Sequence, residues 1–295
     1  MADNKSAKSW GIQALAEFIG TAMFMYLAIG GADAVTRGAP QGFGLLGNAF
    51  AFGIALTVTA WAFFRISGSH FNPAITLSSL ITGHINVPRA ILYFIAQLLG
   101  AMLGVALTRG TTPSGQNIGQ VNAIAHGESR ARAFFLEFFL TAILCFVYHM
   151  IVHEKNRSTF MAALPYGFTL FSCHLFATRY TGASVNPARA FATSVAARSF
   201  SPDHWIFWFG PLTGAVLAAA LHILFRYLDY DRANPGIDAE NQAQFMRAQS
   251  AVNETHVYNT NTGPGYSGNV NYNDNPNYQP PGNTATTTTT TTNAY

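Results

Sequence analysis

The sequence predicts an all-α membrane protein with six transmembrane helices and two re-entrant half-helices, arranged as an inverted repeat. Three observations carry this. Only 10% of the residues are charged while 49% are hydrophobic, against about 25% charged in ordinary soluble domains. Six apolar runs have roughly the 20 residues that a helix needs to cross a bilayer. The tripeptide Asn72-Pro73-Ala74 returns 114 residues later as Asn186-Pro187-Ala188.

The runs cover about 10–32, 45–65, 88–109, 131–152, 161–178 and 205–227. The first follows a polar stretch, 1–9, read as a cytoplasmic N-terminal tail. That run is long and contains Glu17, which does not fit a cleavable signal peptide. Ala16-Glu17-Phe18 at its start matches Leu136-Glu137-Phe138 in the fourth run. Ala51-Phe52-Gly53 in the second run aligns with Pro165-Tyr166-Gly167 in the fifth, and Gly100-Ala101 in the third with Gly214-Ala215 in the sixth. The membrane portion is therefore 10–228, built from repeats of about 10–110 and 131–227. Three spans per repeat is an odd number, so the second copy starts on the opposite side of the membrane. Gly100-xxx-Gly104 and Ala16-xxx-Gly20 are small-residue pairs suited to close helix packing.

Between the second and third runs, and between the fifth and sixth, the chain cannot form a full span. Gly68-Ser69-His70-Phe71-Asn72 and Gly182-Ala183-Ser184-Val185-Asn186 are each followed by about ten helix-compatible residues, half a bilayer at 1.5 Å per residue. Asn is a strong N-cap and Pro is tolerated at the first helical position, so each Asn-Pro step starts a half-helix. Irregular backbone at membrane depth persists only inside protein or along a water-filled cavity, so a path through the protein follows.

The two Asn-Pro-Ala boxes, Ala16-Glu17-Phe18, Ser67-Gly68-Ser69-His70-Phe71-Asn72 and Asn186-Pro187-Ala188-Arg189 together resemble the aquaporin (major intrinsic protein) family. The resemblance covers about residues 10–228. It implies a right-handed six-helix bundle, a homotetramer, and one pore per protomer with water as the permeant. It further implies that Phe52, His174, Ala183 and Arg189 occupy an aromatic/arginine constriction, the selectivity filter. Glycerol-conducting members usually lack the His and carry Asp after the Arg, where this chain has Ala190. Phe207-Trp208 also resembles the water-specific branch.

The chemistry of the residues agrees. A capping Asn accepts backbone N–H groups through its oxygen and leaves its NH2 to donate to water. Two half-helix N-termini, each worth roughly half a positive charge, oppose cations and protons. Arg189 adds fixed donors and a full charge. Glu17 and Glu137 are intramembrane carboxylates, a rare feature that faces the interior. They serve either as a proton relay or, the preferred reading, as acceptors for the N–H groups of the re-entrant loops. His70 lines the inner vestibule or packs the loop.

The net charge of +3 is too small to suggest nucleic acid. Cys145 and Cys173 both fall in predicted spans, so neither a disulfide framework nor a metal site is implied, and no cofactor is expected. No nucleophile–base pair or nucleotide loop suggests an enzyme. With both termini cytoplasmic, nine Lys/Arg residues lie inside and seven outside, and all three lysines lie inside; the positive-inside rule is weakly met. The multi-pass protein then sits in the plasma membrane or an intracellular vacuole membrane. Ser158 beside Lys155 and Arg157 is a candidate phosphosite at the inner mouth. Residues 229–295, rich in Asn, Thr, Gly and Tyr, read as a disordered tail, with a short helix at 238–250. Two other readings stay open: an aquaglyceroporin or neutral-solute channel, and a gated or non-conducting structural membrane protein. In this topology the sequons at Asn4, Asn156 and Asn253 face the cytoplasm. Mobility on gels should not change on deglycosylation; a glycan at any of the three would overturn the orientation.

Overall fold

The computed structural model describes residues 2–38, 43–113, 120–154 and 158–233, and all regular elements among them are helical. In chain order they are α1 (Ala2–Gly38), α2 (Phe43–Ser67), α3 (Pro73–Ile81), α4 (Val87–Thr111), α5 (Arg130–Tyr148), α6 (Ala163–Ala177), α7 (Pro187–Ala197) and α8 (Ile206–Tyr227). Among the described residues five stretches are long and apolar enough to cross a membrane: Lys8–Arg37, Gly44–Ser67, Val87–Thr111, Arg130–His153 and Ile206–Tyr227. The sixth, α6, has 15 residues and is preceded by a 3-10 turn, Thr159–Met161. Residues 2–9, expected as a tail, continue α1; they contain neither Gly nor Pro, so nothing in them breaks the helix. The expected tail beyond 233, with its short helix, lies outside the described residues, as do the sequons at Asn156 and Asn253.

The half-helices are 9 and 11 residues long, about 14 and 16 Å at 1.5 Å per residue. The packing is that of a repeat. α1 packs on α2 and α4, as α5 packs on α6 and α8; α4 meets α7, as α8 meets α3; and α2 meets α6 across the two halves. The distribution of side chains is the reverse of a soluble protein's. Phe50, Leu99, Phe139 and Phe209 are exposed, whereas Glu17, Gln97, Glu137, His174 and Arg189 are buried. Lipid solvates the first group, and the second is kept for an interior that must satisfy it.

Close approach of the spans depends on absent side chains. A Cβ on Gly100 or Gly104 of α4 would overlap the carbonyl oxygens of Phe18 and Ala22 on α1. At the equivalent crossing, a Cβ on Gly214 of α8 would overlap the Phe138 carbonyl of α5. Where the halves meet, Gly53 and Gly167, which align in the repeat, face one another: a Cβ on Gly53 would lie 3.0 Å from the Gly167 oxygen. Backbone cannot step aside as a side-chain tip can, so overpacking here costs at least the usual ~1–3 kcal/mol. Gly104→Leu should therefore lower the thermal unfolding midpoint or abolish a monodisperse chromatographic peak. Gly11→Leu, where nothing lies within 4 Å, should leave both unchanged.

Candidate functional site

The two Asn-Pro steps set the centre of the molecule. Asn72 is extended, with φ −152° and ψ 121°, and its Oδ1 accepts the Ala74 N–H at 2.9 Å. Asn186 repeats this with φ −155° and ψ 110°, accepting the N–H groups of Ala188 at 2.9 Å and Arg189 at 3.4 Å. Pro73 and Pro187 occupy the first helical positions, where no donor is needed. Ala74 and Ala188 are fully buried.

The two N-termini meet head to head, tied by the caps themselves. Asn72 Nδ2 donates to the Val185 carbonyl at 2.7 Å and Asn186 Nδ2 donates to the Phe71 carbonyl at 2.9 Å. Each amide group thus commits one hydrogen to the opposite loop, which reasoning from the capping motif alone leaves free. One hydrogen per Asn remains.

The loops leading into the caps are strained in the same way. Gly68, Ser69 and Phe71 have φ of 90°, 56° and 50°, and their counterparts Gly182, Ala183 and Val185 have 77°, 49° and 43°. Left-handed backbone at a non-Gly residue costs about 1–3 kcal/mol each and persists only where surroundings impose it. A buried carboxylate imposes it here. Glu17 Oε1 accepts the Ser67 hydroxyl at 2.6 Å and the His70 N–H at 3.0 Å, while Oε2 accepts the Phe71 N–H at 2.7 Å. Glu137 does the same for Thr181 at 2.6 Å, Ser184 N at 2.9 Å and Val185 N at 2.7 Å.

Other partners escape a reading by motif. Gln97 Nε2 bridges Glu17 at 2.9 Å and Thr76 at 2.8 Å; its place in the second repeat is taken by Pro211. Tyr93, Tyr148 and Tyr166 donate their hydroxyls to the carbonyls of Ser67, Gly68 and His70 at 2.8, 2.8 and 2.9 Å. The one available signal was a polar atom in an otherwise apolar run, too common in tyrosine to single these out.

A narrow void of about 10 Å3 lies at this centre, lined by the polar side chains of Asn72, Asn186, His70 and Ser184 and the apolar ones of Leu56, Leu144 and Leu170. Phe52, His174 and Arg189 also line it. The Phe52 and His174 rings stack with centroids 3.8 Å apart and planes 18° apart, and the Arg189 guanidinium carbon lies 4.9 Å from the Phe52 ring centre. Arg189 Nη2 donates to the Gly182 carbonyl at 2.8 Å. Its Nε and Nη1, and Nε2 of His174, are buried without a protein partner. Ala183 lies in the adjoining loop but is not among the lining groups, and neither is Cys173, whose thiol faces the Leu140 carbonyl at 3.7 Å. Ser158 is exposed ahead of the 3-10 turn; Lys155 and Arg157 lie outside the described residues.

A second cavity, of about 310 Å3, opens beyond His70 and is lined by Gly68, Arg89, Tyr148, His84 and His153 among others. Nearby, Glu154 accepts hydrogen bonds from His222 at 2.7 Å and Tyr230 at 2.9 Å. Its burial favours the neutral carboxyl, but these bonds and the Arg226 charge outweigh burial and hold it below the usual carboxylate range.

These features define an integral membrane protein built on two half-helices capped toward one another. Residues 4–222 match the family model for the major intrinsic proteins. The chain belongs to the major intrinsic protein family. It is 37% identical to a protein named aquaporin-5 from Botryotinia fuckeliana over 80% of this chain and 46% of that one. It is 39% identical to a protein named aquaporin-1 from Laccaria bicolor over 74% and 72%. The chain thus spans about half the length of the Botryotinia relative. Among solved structures it resembles the aquaglyceroporin from Plasmodium falciparum, with a TM-score of 0.64 over 73% of this chain and 95% of that one, at 22% identity. That likeness concerns the fold.

The Glu17 network yields a direct test. Glu17→Gln keeps the shape but turns one acceptor into a donor facing N–H and O–H groups, which should cost about 1–3 kcal/mol for the unsatisfied buried groups. A fall in thermal midpoint for Glu17→Gln and for Glu137→Gln is expected, while an unchanged midpoint would show the loops hold themselves.

Proposed function

We propose that the chain forms a passive pore for water that excludes protons and ions, with no chemical step. The observation that carries this is the set of unpartnered polar groups beside the void: the donors Nε and Nη1 of Arg189 and the Nε2 ring nitrogen of His174, all buried. Buried polar groups without protein partners are satisfied by water. The same void is lined by Asn72 and Asn186, each with one amide hydrogen left to donate. Water passing these groups is held by its oxygen and directs its hydrogens away, which breaks a proton wire. The aligned N-termini of α3 and α7 and the Arg189 charge oppose cations at the same places.

The constriction supports water over glycerol. Phe52 and His174 lie face to face at 3.8 Å with Arg189 against them, so two rings and a guanidinium crowd the passage with an aromatic wall and polar edges. Glycerol needs a wider and more apolar one. The supporting residues are Phe52, His174, Arg189 and the loop of Ala183 for the filter, the two Asn-Pro-Ala boxes for the centre, and Glu17 and Glu137 for the loops. The proposal includes a homotetramer, cytoplasmic termini, and plasma or vacuole membrane placement, with Ser158 as a regulatory phosphosite. Equal water flux through Ser158→Ala and Ser158→Asp channels at equal abundance would remove that last element.

Stopped-flow shrinkage of proteoliposomes, with water and glycerol measured in parallel, tests the reading. Water permeability at least tenfold above empty vesicles, with glycerol near background, is expected. His174→Ala should raise glycerol flux severalfold while keeping water flux; glycerol permeation by the native chain would instead establish the neutral-solute reading. Mercurials should inhibit weakly, since Ala183 stands in the filter loop and Cys173 does not line the void. Strong block that survives Cys173→Ser would contradict this account of the filter.

A further inference from the structure

The mouth of the second cavity carries a cluster of imidazoles that the pore chemistry does not use. His84 follows α3, and His149 and His153 sit on the π-turn that ends α5. One ring nitrogen from each lies within 4.8 Å of the others. The turn is closed by the Glu154 N–H on the His149 carbonyl at 3.0 Å, an i to i+5 bond. Such turns are rare and concentrate at functional sites. Here the wider turn sets the His149 and His153 rings 5.0 Å apart, and His84 stacks on His153 at 3.7 Å.

We propose that His84, His149 and His153 form a binding site for a divalent transition-metal ion of the zinc class. Three further observations favour this over a merely packed cluster. Each ring engages a hydroxyl through one nitrogen: His84 Nδ1 with Thr82 at 2.8 Å, His149 Nε2 with Ser78 at 2.5 Å, and His153 Nε2 with Ser79 at 3.1 Å. Among the described residues the other ring nitrogens of the three make no hydrogen bond, and that of His149 is buried. A metal-ligating imidazole has this arrangement, with one nitrogen oriented by an outer partner and the other directed at the ion. The hydroxyls come from the end of α3 and the turn after it, so the end of the half-helix fixes the rings.

The donor set selects the ion. All three candidate ligands are nitrogens, which suit zinc, cobalt, nickel or copper and not calcium or magnesium. Arg89 and Arg65 line the same cavity and would repel an ion held by charge alone. Zinc–nitrogen bonds of about 2.0–2.1 Å put tetrahedral ligands roughly 3.4 Å apart, so the nitrogens must close by about 1 Å or more, and the stacked His84 and His153 rings, 11° from parallel, must turn so that both lone pairs point at one ion. His84 and His153 are half-buried at the cavity wall, so the ring movement falls on the two ligands that face open space rather than on the buried His149. Three ligands leave a fourth position open toward the cavity for water or an anion. A bound ion would tie the end of α3 to the end of α5 at the mouth of the path.

The site does not depend on what the pore conducts. Purified full-length protein without a histidine tag, in detergent, is titrated with Co2+ and the visible absorption of the ion is followed. One equivalent giving an intense tetrahedral-type band, displaced by Zn2+, is expected. His84→Gln and His153→Gln, each made alone, should weaken Co2+ binding at least tenfold, whereas His204→Gln, away from the cluster, should not. His149 is fully buried, so its substitution could disturb folding; the two half-buried ligands keep the test decisive. Absence of the band, or a band unchanged in both His84→Gln and His153→Gln, would overturn the site.

Discussion

Two buried carboxylates organise this molecule. Glu17 and Glu137 each present two oxygens to a re-entrant loop, and each collects two consecutive backbone N–H groups and a hydroxyl at 2.6–3.0 Å. No ordinary backbone pairing is open to those N–H groups, because the loops run through left-handed residues at membrane depth. An unmet backbone donor there would cost about as much as the strain itself, so the loops persist only because the carboxylate meets both N–H groups. With its N–H groups turned to the glutamate, each loop directs carbonyls elsewhere. Those of Phe71 and Val185 receive the opposing Asn side chains. The head-to-head arrangement of α3 and α7 follows from this.

The repeat makes the device twofold, and its departures from symmetry are informative. Ser67, His70 and Phe71 serve Glu17 as Thr181, Ser184 and Val185 serve Glu137. Beyond the loops the halves diverge. On the α3 side Gln97 joins Glu17 to Thr76, and three tyrosines and His70 crowd the loop. On the α7 side Arg189, Phe52 and His174 gather instead. One end is a plain scaffold opening to an imidazole-lined mouth. The other carries the groups proposed to choose the permeant.

Much of this was legible in the residues. Asn-Pro at two places dictated two helix starts, the odd number of spans per repeat dictated inversion, and a carboxylate in an apolar run needed an internal partner. The spacing of Gly100 and Gly104 predicted a close crossing, which α1 and α4 make. Other features had no local signature. Cross-bonding of Asn72 to Val185 and Asn186 to Phe71 depends on how deep both loops reach, which no spacing encodes. The face-to-face stack of Phe52 on His174 brings α2 to α6 through the facing glycines 53 and 167. The imidazole cluster required knowing that α5 ends in a π-turn, since His84 is 65 residues from His149 in the chain.

The central claim is that two Asn-capped helix ends, held by buried carboxylates, pass water while refusing protons. Water and proton flux measured together in the same proteoliposomes, under an osmotic step and an imposed pH gradient with a pH-sensitive dye inside, test it most directly. The account predicts rapid shrinkage with proton leak no greater than in empty vesicles. Proton entry that rises with the number of channels, or shrinkage no faster than that of the bare lipid, would contradict it.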